Sequence, residues 1–524
     1  YYTQALDIAK KLGKQDSIAT YLNNIGMVYQ AWGQYDKAIE YLAQSVELIE
    51  KIRKTATGEV RRDYLASQIG TYQALISALI SQKDYGGAFQ TMEMSKGRLL
   101  LEQLSGSQEV NFPSVETIQR ELPPDTAILS YANSDLWWQT ALLSLTREEL
   151  TALQVNSEPI LQVAWEKHPR QLQMAANQAR GLMNTRGRGT KLIQDPFEGK
   201  EIKKSLATLV YYYRDLLTSV DSSEGELKEI GHLLYQVLVK PMEEQLKGKK
   251  RLVVIPDGVL GFLPFETLVD EQGKYLMESY EIVYAQSMGI QESVKNRNYD
   301  TNRKPLLAFG GAVYEGVVYE GFRVEQGNSQ QLKALLNQMN AQPTASMRSI
   351  YGALGMISWY SLPGTVAEVQ GLKELISGTE MVLGEKVTEN EVKDLSEKGD
   401  LEKYKVLHFA THGLVVSEIP ELSALVLSQF REEKGGEDGY LRMAEIAKLK
   451  LRADLVNLSA CETGLGKVYG GEGVVGLTQA FLMAGANGVS VSLWAVSDEG
   501  TSVFMKELYQ GQGTYGVRLS ELKR

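Results

Sequence analysis

Tyr404-Lys405-Val406-Leu407-His408-Phe409-Ala410-Thr411-His412-Gly413 and Leu455-Val456-Asn457-Leu458-Ser459-Ala460-Cys461-Glu462-Thr463-Gly464 decide how this chain is read. Each opens with an apolar run of strand length, Tyr404 to Ala410 and Leu455 to Ser459. Runs that apolar belong to strands buried on both faces, as parallel strands between helices are. Each run is followed within two residues by a reactive group. His412 closes the first, and Cys461, the only cysteine in 524 residues, closes the second. Adjacent parallel strands would deliver an imidazole and a thiol to the same edge of one sheet, which is what a cysteine nucleophile and its base require.

Around these runs, strands and helices alternate from residue 250 onward, so a mostly parallel α/β sheet is expected. Leu252 to Pro256, Leu306 to Gly310 and Val489 to Trp494 read as further strands. Helices are expected at Val392 to Glu397, Ala444 to Lys448, Gly473 to Ala484 and Glu499 to Tyr509. Another is expected at Thr365 to Ile376, with Thr365 near its cap and Glu368 three residues on, the capping-box spacing. Ahead of residue 250, Ala127 to Tyr131 and Asp135 to Leu145 read as paired strands, with helical periodicity at Glu158 to Met183 and Ile202 to Lys247. Segments 314–347 and 429–438 are polar and glycine-bearing and read as mobile loops.

The first hundred residues repeat. Tyr2-x-x-Ala5, Tyr35-x-x-Ala38 and Tyr85-x-x-Ala88 share a pattern, the first two 33 residues apart and the third 50 further on. With Leu22, Gly26, Tyr29 and the turn Trp32-Gly33-Gln34, this is the ~34-residue helix–turn–helix signature of tetratricopeptide (TPR) repeats. Gly26 and Ala38 would let two helices approach, with Tyr29, Tyr35 and Leu42 filling between them. The longer third spacing predicts an extended inter-helix segment around Thr55 to Arg62. Residues 1–12 read as the second helix of a repeat, so the array is expected to continue upstream. Such solenoids bind partners rather than carry chemistry. The domain reading is TPR repeats at 1–104, a linking part at 105–249, and a catalytic α/β domain at 250–524.

Composition bounds the rest. Net charge is −10, hydrophobic residues make up 43% and charged residues 23%, so the chain is an ordinary globular protein without a global basic field. Direct nucleic-acid binding is not expected. The basic tract Arg180 to Lys204 is the one local candidate, and a solvated loop is its plainer reading. A single cysteine forms no internal disulfide, and no apolar stretch approaches membrane length, so a cytoplasmic protein without membrane contact is expected. No cofactor and no metal site are expected.

Of the four histidines, His412 is followed by glycine at a strand end, whereas His408, at even spacing on the same strand, reads as a packed core residue. Cys461 has two readings. Free cysteine is among the most buried residue types, so an inert core thiol is one. The other is a nucleophile in the first turn after a strand, where following N–H groups favour a thiolate and Gly464 and Gly466 leave room for substrate.

His408-Phe409-Ala410-Thr411-His412-Gly413, Leu458-Ser459-Ala460-Cys461-Glu462-Thr463-Gly464-Leu465-Gly466, Gly471-Glu472-Gly473 and Ser492-Leu493-Trp494 through Asp498 resemble CHAT domains, caspase-like cysteine peptidases that also resemble separase. Ile255-Pro256-Asp257-Gly258, Leu263-Pro264-Phe265, Leu362-Pro363-Gly364 and Asp438-Gly439 fit the same pattern in order. The resemblance implies an α/β caspase-like mostly parallel sheet flanked by helices, preceded by the all-α TPR solenoid. It implies that Cys461 attacks a scissile carbonyl while His412 handles the proton, with the N–H groups of Gly413 and Cys461 as oxyanion hole. No third side chain to orient His412 is identifiable, so a backbone carbonyl would serve. Ser459 stands where caspases carry glutamine, which argues against aspartate specificity. Ser459, Trp494 and Asp498 would contact substrate, Asp498 holding a P1 Arg or Lys; its alternative is a helix cap. The family's final strand would follow Leu519 to Arg524, where this sequence stops.

TPR–CHAT fusions are a familiar bacterial combination, including partners of RNA-guided CRISPR effectors and antiviral proteases. The resemblance therefore implies a cysteine endopeptidase acting on a protein substrate and gated by a regulatory protein or ribonucleoprotein on the TPR region. A catalytically silent TPR–CHAT adaptor is the rival, and a redox sensor is disfavoured by the lack of a resolving cysteine.

Overall fold

A computed structural model describes residues 1–56, 58–107, 109–134, 139–183, 205–315, 351, 359–416, 419–430, 438–460, 467–469, 473–494 and 497–510. Cys461, most of the basic tract, and most of segments 314–347 and 429–438 lie outside the described residues. The chain divides into two compact units, residues 1–293 with 468–474, and residues 294–467 with 475–524.

The first unit begins with helices Tyr2–Lys11 (α1), Gln15–Ala31 (α2), Tyr35–Thr55 (α3), Gly58–Ser81 (α4), Tyr85–Met94 (α5) and Arg98–Ser105 (α6). α2 and α3 pack closely because residue 26 has no side chain. A Cβ on Gly26 would lie 2.6 Å from Leu42 Cγ, and Ala38 and Leu42 are fully buried there. The 50-residue third spacing is not a long connection. α3 runs to Thr55 and α4 starts at Gly58, so the extra residues lengthen both helices. Arg53, Arg61, Arg98, Glu50 and Glu102 form a buried ion-pair network where α3, α4 and α6 meet.

Behind these helices lies a five-stranded sheet in the order β3-β2-β1-β4-β5: Thr126–Ser134 (β1), Gln139–Leu145 (β2), Leu150–Asn156 (β3), Arg251–Ile255 (β4) and Glu281–Tyr284 (β5). β1 to β3 are an antiparallel meander, and β4 and β5 add in parallel beyond β1. Ile76, Phe89 and Met92 from the helices share one core with Ile128, Leu143 and Ala152 from this sheet.

The second unit holds a wholly parallel sheet, order β15-β12-β8-β6-β7, from Lys304–Gly310 (β6), Glu380–Leu383 (β7), Tyr404–Ala410 (β8), Leu455–Ser459 (β12) and Val489–Ser490 (β15). His412–Leu414 (β9), Ala424–Val426 (β10) and Tyr440–Arg442 (β11) form a separate antiparallel sheet. Lys467–Tyr469 (β13) pairs with Gly473–Val475 (β14), residues that fall mostly in the first unit. β8 and β12 are central strands covered on both faces, which is why their sequences hardly alternate. Phe309 and Phe409 stack at 4.7 Å, and Phe409 also meets Phe481 at 5.8 Å.

Two expected elements differ. Gly473 to Ala484 is not one helix: Gly476, extended at φ −170° and ψ −160°, separates β14 from a helix at Leu477–Ala484. The strand expected at Val489 to Trp494 pairs with β12 only through Val489 and Ser490.

Candidate functional site

The register of the central strands fixes the site. β12 and β8 pair in parallel, with Ser459 opposite Ala410. His412 and Cys461 each follow those paired ends by two residues in sequence. His412 does not continue β8. The chain leaves the sheet at Thr411, and His412 starts β9, paired with Val426 of β10.

His412 is 4% exposed, so its ring is almost fully desolvated. Its Nε2 lies 2.7 Å from the carbonyl oxygen of Tyr360. A carbonyl only accepts, so Nε2 carries the proton and Nδ1 is the unprotonated, basic nitrogen of the neutral ring. Trp359, Tyr360 and Tyr314 surround the imidazole, with ring centres at 4.9, 4.7 and 5.2 Å. Trp359 is held in turn by an indole N–H bond of 3.0 Å to Tyr440 Oη. Burial sets the pKa of His412 below its ordinary 6.5, against smaller opposing effects of the Tyr360 carbonyl and the Asp498 charge. The ring is therefore neutral at physiological pH, the state a general base needs.

Tyr314 also fixes the backbone of His412. Its hydroxyl donates to the Val426 carbonyl at 3.0 Å and is hydrogen-bonded to the His412 main chain, bridging the β9–β10 pair at the histidine. The strand that leads to Cys461 has its own tether. Ser492, just past β15, donates its hydroxyl to the carbonyl of Ala460.

The residues expected to contact substrate or form the oxyanion hole fall as follows. Ser459 is buried at the end of β12, and its hydroxyl has no hydrogen-bond partner among the described residues. Trp494 is partly exposed beyond β15, and Gly413 is half-buried in β9 opposite Leu425. Asp498 starts the Asp498–Gln510 helix but does not cap it. Ser497 does, accepting from the Gly500 N–H at 3.0 Å. Asp498 Oδ2 instead accepts from the N–H of Gly364 at 2.7 Å, in the first turn of the Pro363–Leu375 helix.

The capping box expected at Thr365 and Glu368 is absent from that helix. The N-cap is Leu362, which has no capping side chain; Thr365 Oγ1 bonds the Leu362 carbonyl at 2.6 Å. Glu368 turns inward to His408 Nε2 at 2.7 Å, with both side chains buried. His408 Nδ1 is contacted by Asn457 at 3.1 Å and Tyr509 at 3.2 Å, so His408 is a packed core histidine tying β8 to β12 and to two helices. No group of three His, Cys, Asp or Glu side chains suited to a metal occurs among the described residues. No helix among them is long and apolar enough to cross a membrane.

Sequence reasoning anticipated that a main-chain carbonyl would orient His412 but not which one. Tyr360 lies two residues before the Leu362-Pro363-Gly364 motif, the only sequence signal near it. Tyr314 and Trp359 act through contacts that no local pattern marks, and Ser492 lies in a recognised motif that does not reveal its bond to Ala460.

Comparison with family models agrees with this architecture. A family model described as CHAT domain matches residues 228–521, and one described as tetratricopeptide repeat matches residues 1–51. Tetratricopeptide repeat protein 28 of Mus musculus is 23% identical over 609 residues, covering 95% of this chain and 23% of that protein. Its Homo sapiens namesake is 24% identical over 303 residues, covering 53% of this chain and 11% of that one. The chain thus spans less than a quarter of the length of either relative. Among solved structures, a chain of the Saccharomyces cerevisiae separase–securin complex aligns with 93% of this chain and 36% of its own length, at 14% identity and a TM-score of 0.41. The CHAT match takes in more than half of the sequence, and together with the helical repeats ahead of it the conclusion is that the chain belongs to the CHAT domain family.

Proposed function

We propose that the chain is a caspase-like cysteine endopeptidase working through His412 and Cys461. The observation that carries this is the β8–β12 register together with the Tyr360 bond. Both strands end at one sheet edge, and the histidine that follows one of them holds a neutral ring with Nδ1 as its base. In the reaction, Nδ1 takes the Cys461 thiol proton and the sulfur attacks the scissile carbonyl. The oxyanion receives the N–H groups of Gly413 and Cys461, and His412 passes its proton to the leaving amine. Water then hydrolyses the acyl-thioester.

Asp498 would hold a P1 Arg or Lys, and Ser459 and Trp494 would contact the substrate backbone and flanking side chains. The buried hydroxyl of Ser459, without a partner among the described residues, supports that assignment. The TPR helices would take a regulatory protein or ribonucleoprotein that gates cleavage, as an RNA-guided antiviral system requires. In the domain scheme, residues 1–104 recognise, 105–249 connect and 250–524 cleave. The test is labelling by a thiol-reactive peptidyl probe followed by cleavage of a peptide library, with and without partner. Labelling and cleavage that both vanish in Cys461→Ala support the reading. A chain that neither labels nor cleaves under any condition is the adaptor instead.

A further inference from the structure

The Pro363–Leu375 helix begins without a cap of its own, and the first N–H it presents is satisfied from another helix. Pro363 has no N–H, and Thr365 bonds back to the Leu362 carbonyl. Gly364 donates to Asp498 at 2.7 Å. The contact is close because residue 364 is glycine: a Cβ there would lie 2.6 Å from Asp498 Cγ and Oδ1. Helix starts need such an acceptor, and a carboxylate is favoured there by the helix dipole as well. Four residues before Gly364 stands Tyr360, whose carbonyl holds His412. Tyr360 is 68% exposed, so burial of its ring does not hold the segment; its carbonyl and the Gly364 N–H do, beside Trp359, whose indole N–H reaches Tyr440.

From this we infer that Asp498 is a positioning residue for His412: by capping the helix at Gly364 it anchors the strap 360–364, and the strap's Tyr360 carbonyl fixes the proton on Nε2. One carboxylate oxygen is committed to the strap, which leaves Oδ1 to face a P1 cation. This deepens the proposed role of Asp498 and rests on that reading only where turnover is measured. The strap itself rests on geometry alone.

Imidazole 15N–1H spectra of the full chain read the tautomer directly. With four histidines in the chain, His412→Gln assigns the His412 signals by subtraction. Asp498→Asn keeps an oxygen for the Gly364 N–H, so the protonated-Nε2 signature is expected to persist. Asp498→Ala is expected to give mixed tautomers. Gly364→Ala, which displaces the carboxylate while leaving it present, is expected to do the same. Where cleavage is measurable, kcat should fall about tenfold in Asp498→Ala and recover in Asp498→Asn, while KM for basic peptides rises in both. His412 spectra in the two alanine variants identical to those of the unmodified chain would overturn the inference. Altered spectra in a chain that cleaves nothing would uphold it while sinking the peptidase reading.

Discussion

Replacing Glu368 by alanine tests the packing beneath the site. Glu368 and His408 are 1% and 0% exposed, and their bond is 2.7 Å, in the charge-assisted range. Removing the carboxylate leaves the Nε2 of a fully buried histidine without an acceptor. Breaking a buried pair from one side costs about 3–5 kcal/mol, more than an average hydrogen bond because the orphaned group keeps its desolvation penalty. Glu368→Gln keeps an oxygen in place and should cost about 1 kcal/mol. Hydrogen exchange read on peptides from β8 localises the effect to the second unit. At about 1.4 kcal/mol per decade, Glu368→Ala should speed exchange there by ~10²–10³·⁵, and Glu368→Gln by under ~10-fold. Equal acceleration in the two variants would refute the argument, since it would mean that the carboxyl oxygen was not what His408 needed.

Two further outcomes follow from the site. Ser492→Ala removes the hydroxyl that holds the Ala460 carbonyl, so the alkylation rate of Cys461 by iodoacetamide is expected to change about tenfold while β8 exchange stays unaltered. The second concerns pH. The pKa of His412 is lowered by burial, so its neutral form persists below the ordinary 6.5 and the acid limb of turnover should lie on that side. Trp359→Ala opens the ring to water and should move the limb to higher pH, whereas Asp498→Asn, which removes the opposing charge, should move it lower. The sign for stability is the same: a group with depressed folded pKa that is preferred neutral stabilises the fold above its unfolded pKa, and this is lost as pH falls from 6.5 through the folded value.

The sequence made the central strands legible because their burial is nearly complete. β8 and β12 have the bounds expected from their apolar runs, since a strand covered on both faces announces itself by composition alone. Edge strands do not. β5 and β7 are four residues each and largely exposed or half-exposed, and their three apolar residues apiece make runs too short to stand out. The capping box at Thr365 and Glu368 failed for a different reason. The local pattern was sound, but a buried imidazole across the core competes for Glu368, and tertiary contact outweighs a cap worth about 1 kcal/mol. The longer third TPR spacing misled because helix extension and loop extension add residues alike, and a run such as Glu47 to Lys54 is polar enough to read as either.

The site therefore divides into parts written locally and parts made by convergence. Local sequence supplies the two strand ends and the residues that follow them. Convergence supplies everything that gives those residues a chemical state. Tyr360, Tyr314 and Trp359 reach His412 from positions 52, 98 and 53 residues before it in the chain, each from outside β8. Of these, only a main-chain carbonyl decides which ring nitrogen is basic, and a carbonyl has no side-chain identity for selection to read. What a sequence can preserve is the means of placing that carbonyl: the proline that starts the helix, the glycine that admits a carboxylate, and the aspartate that caps it. Leu362-Pro363-Gly364 and Asp498 are thus two halves of one device, separated by 134 residues and meeting in a single 2.7 Å hydrogen bond.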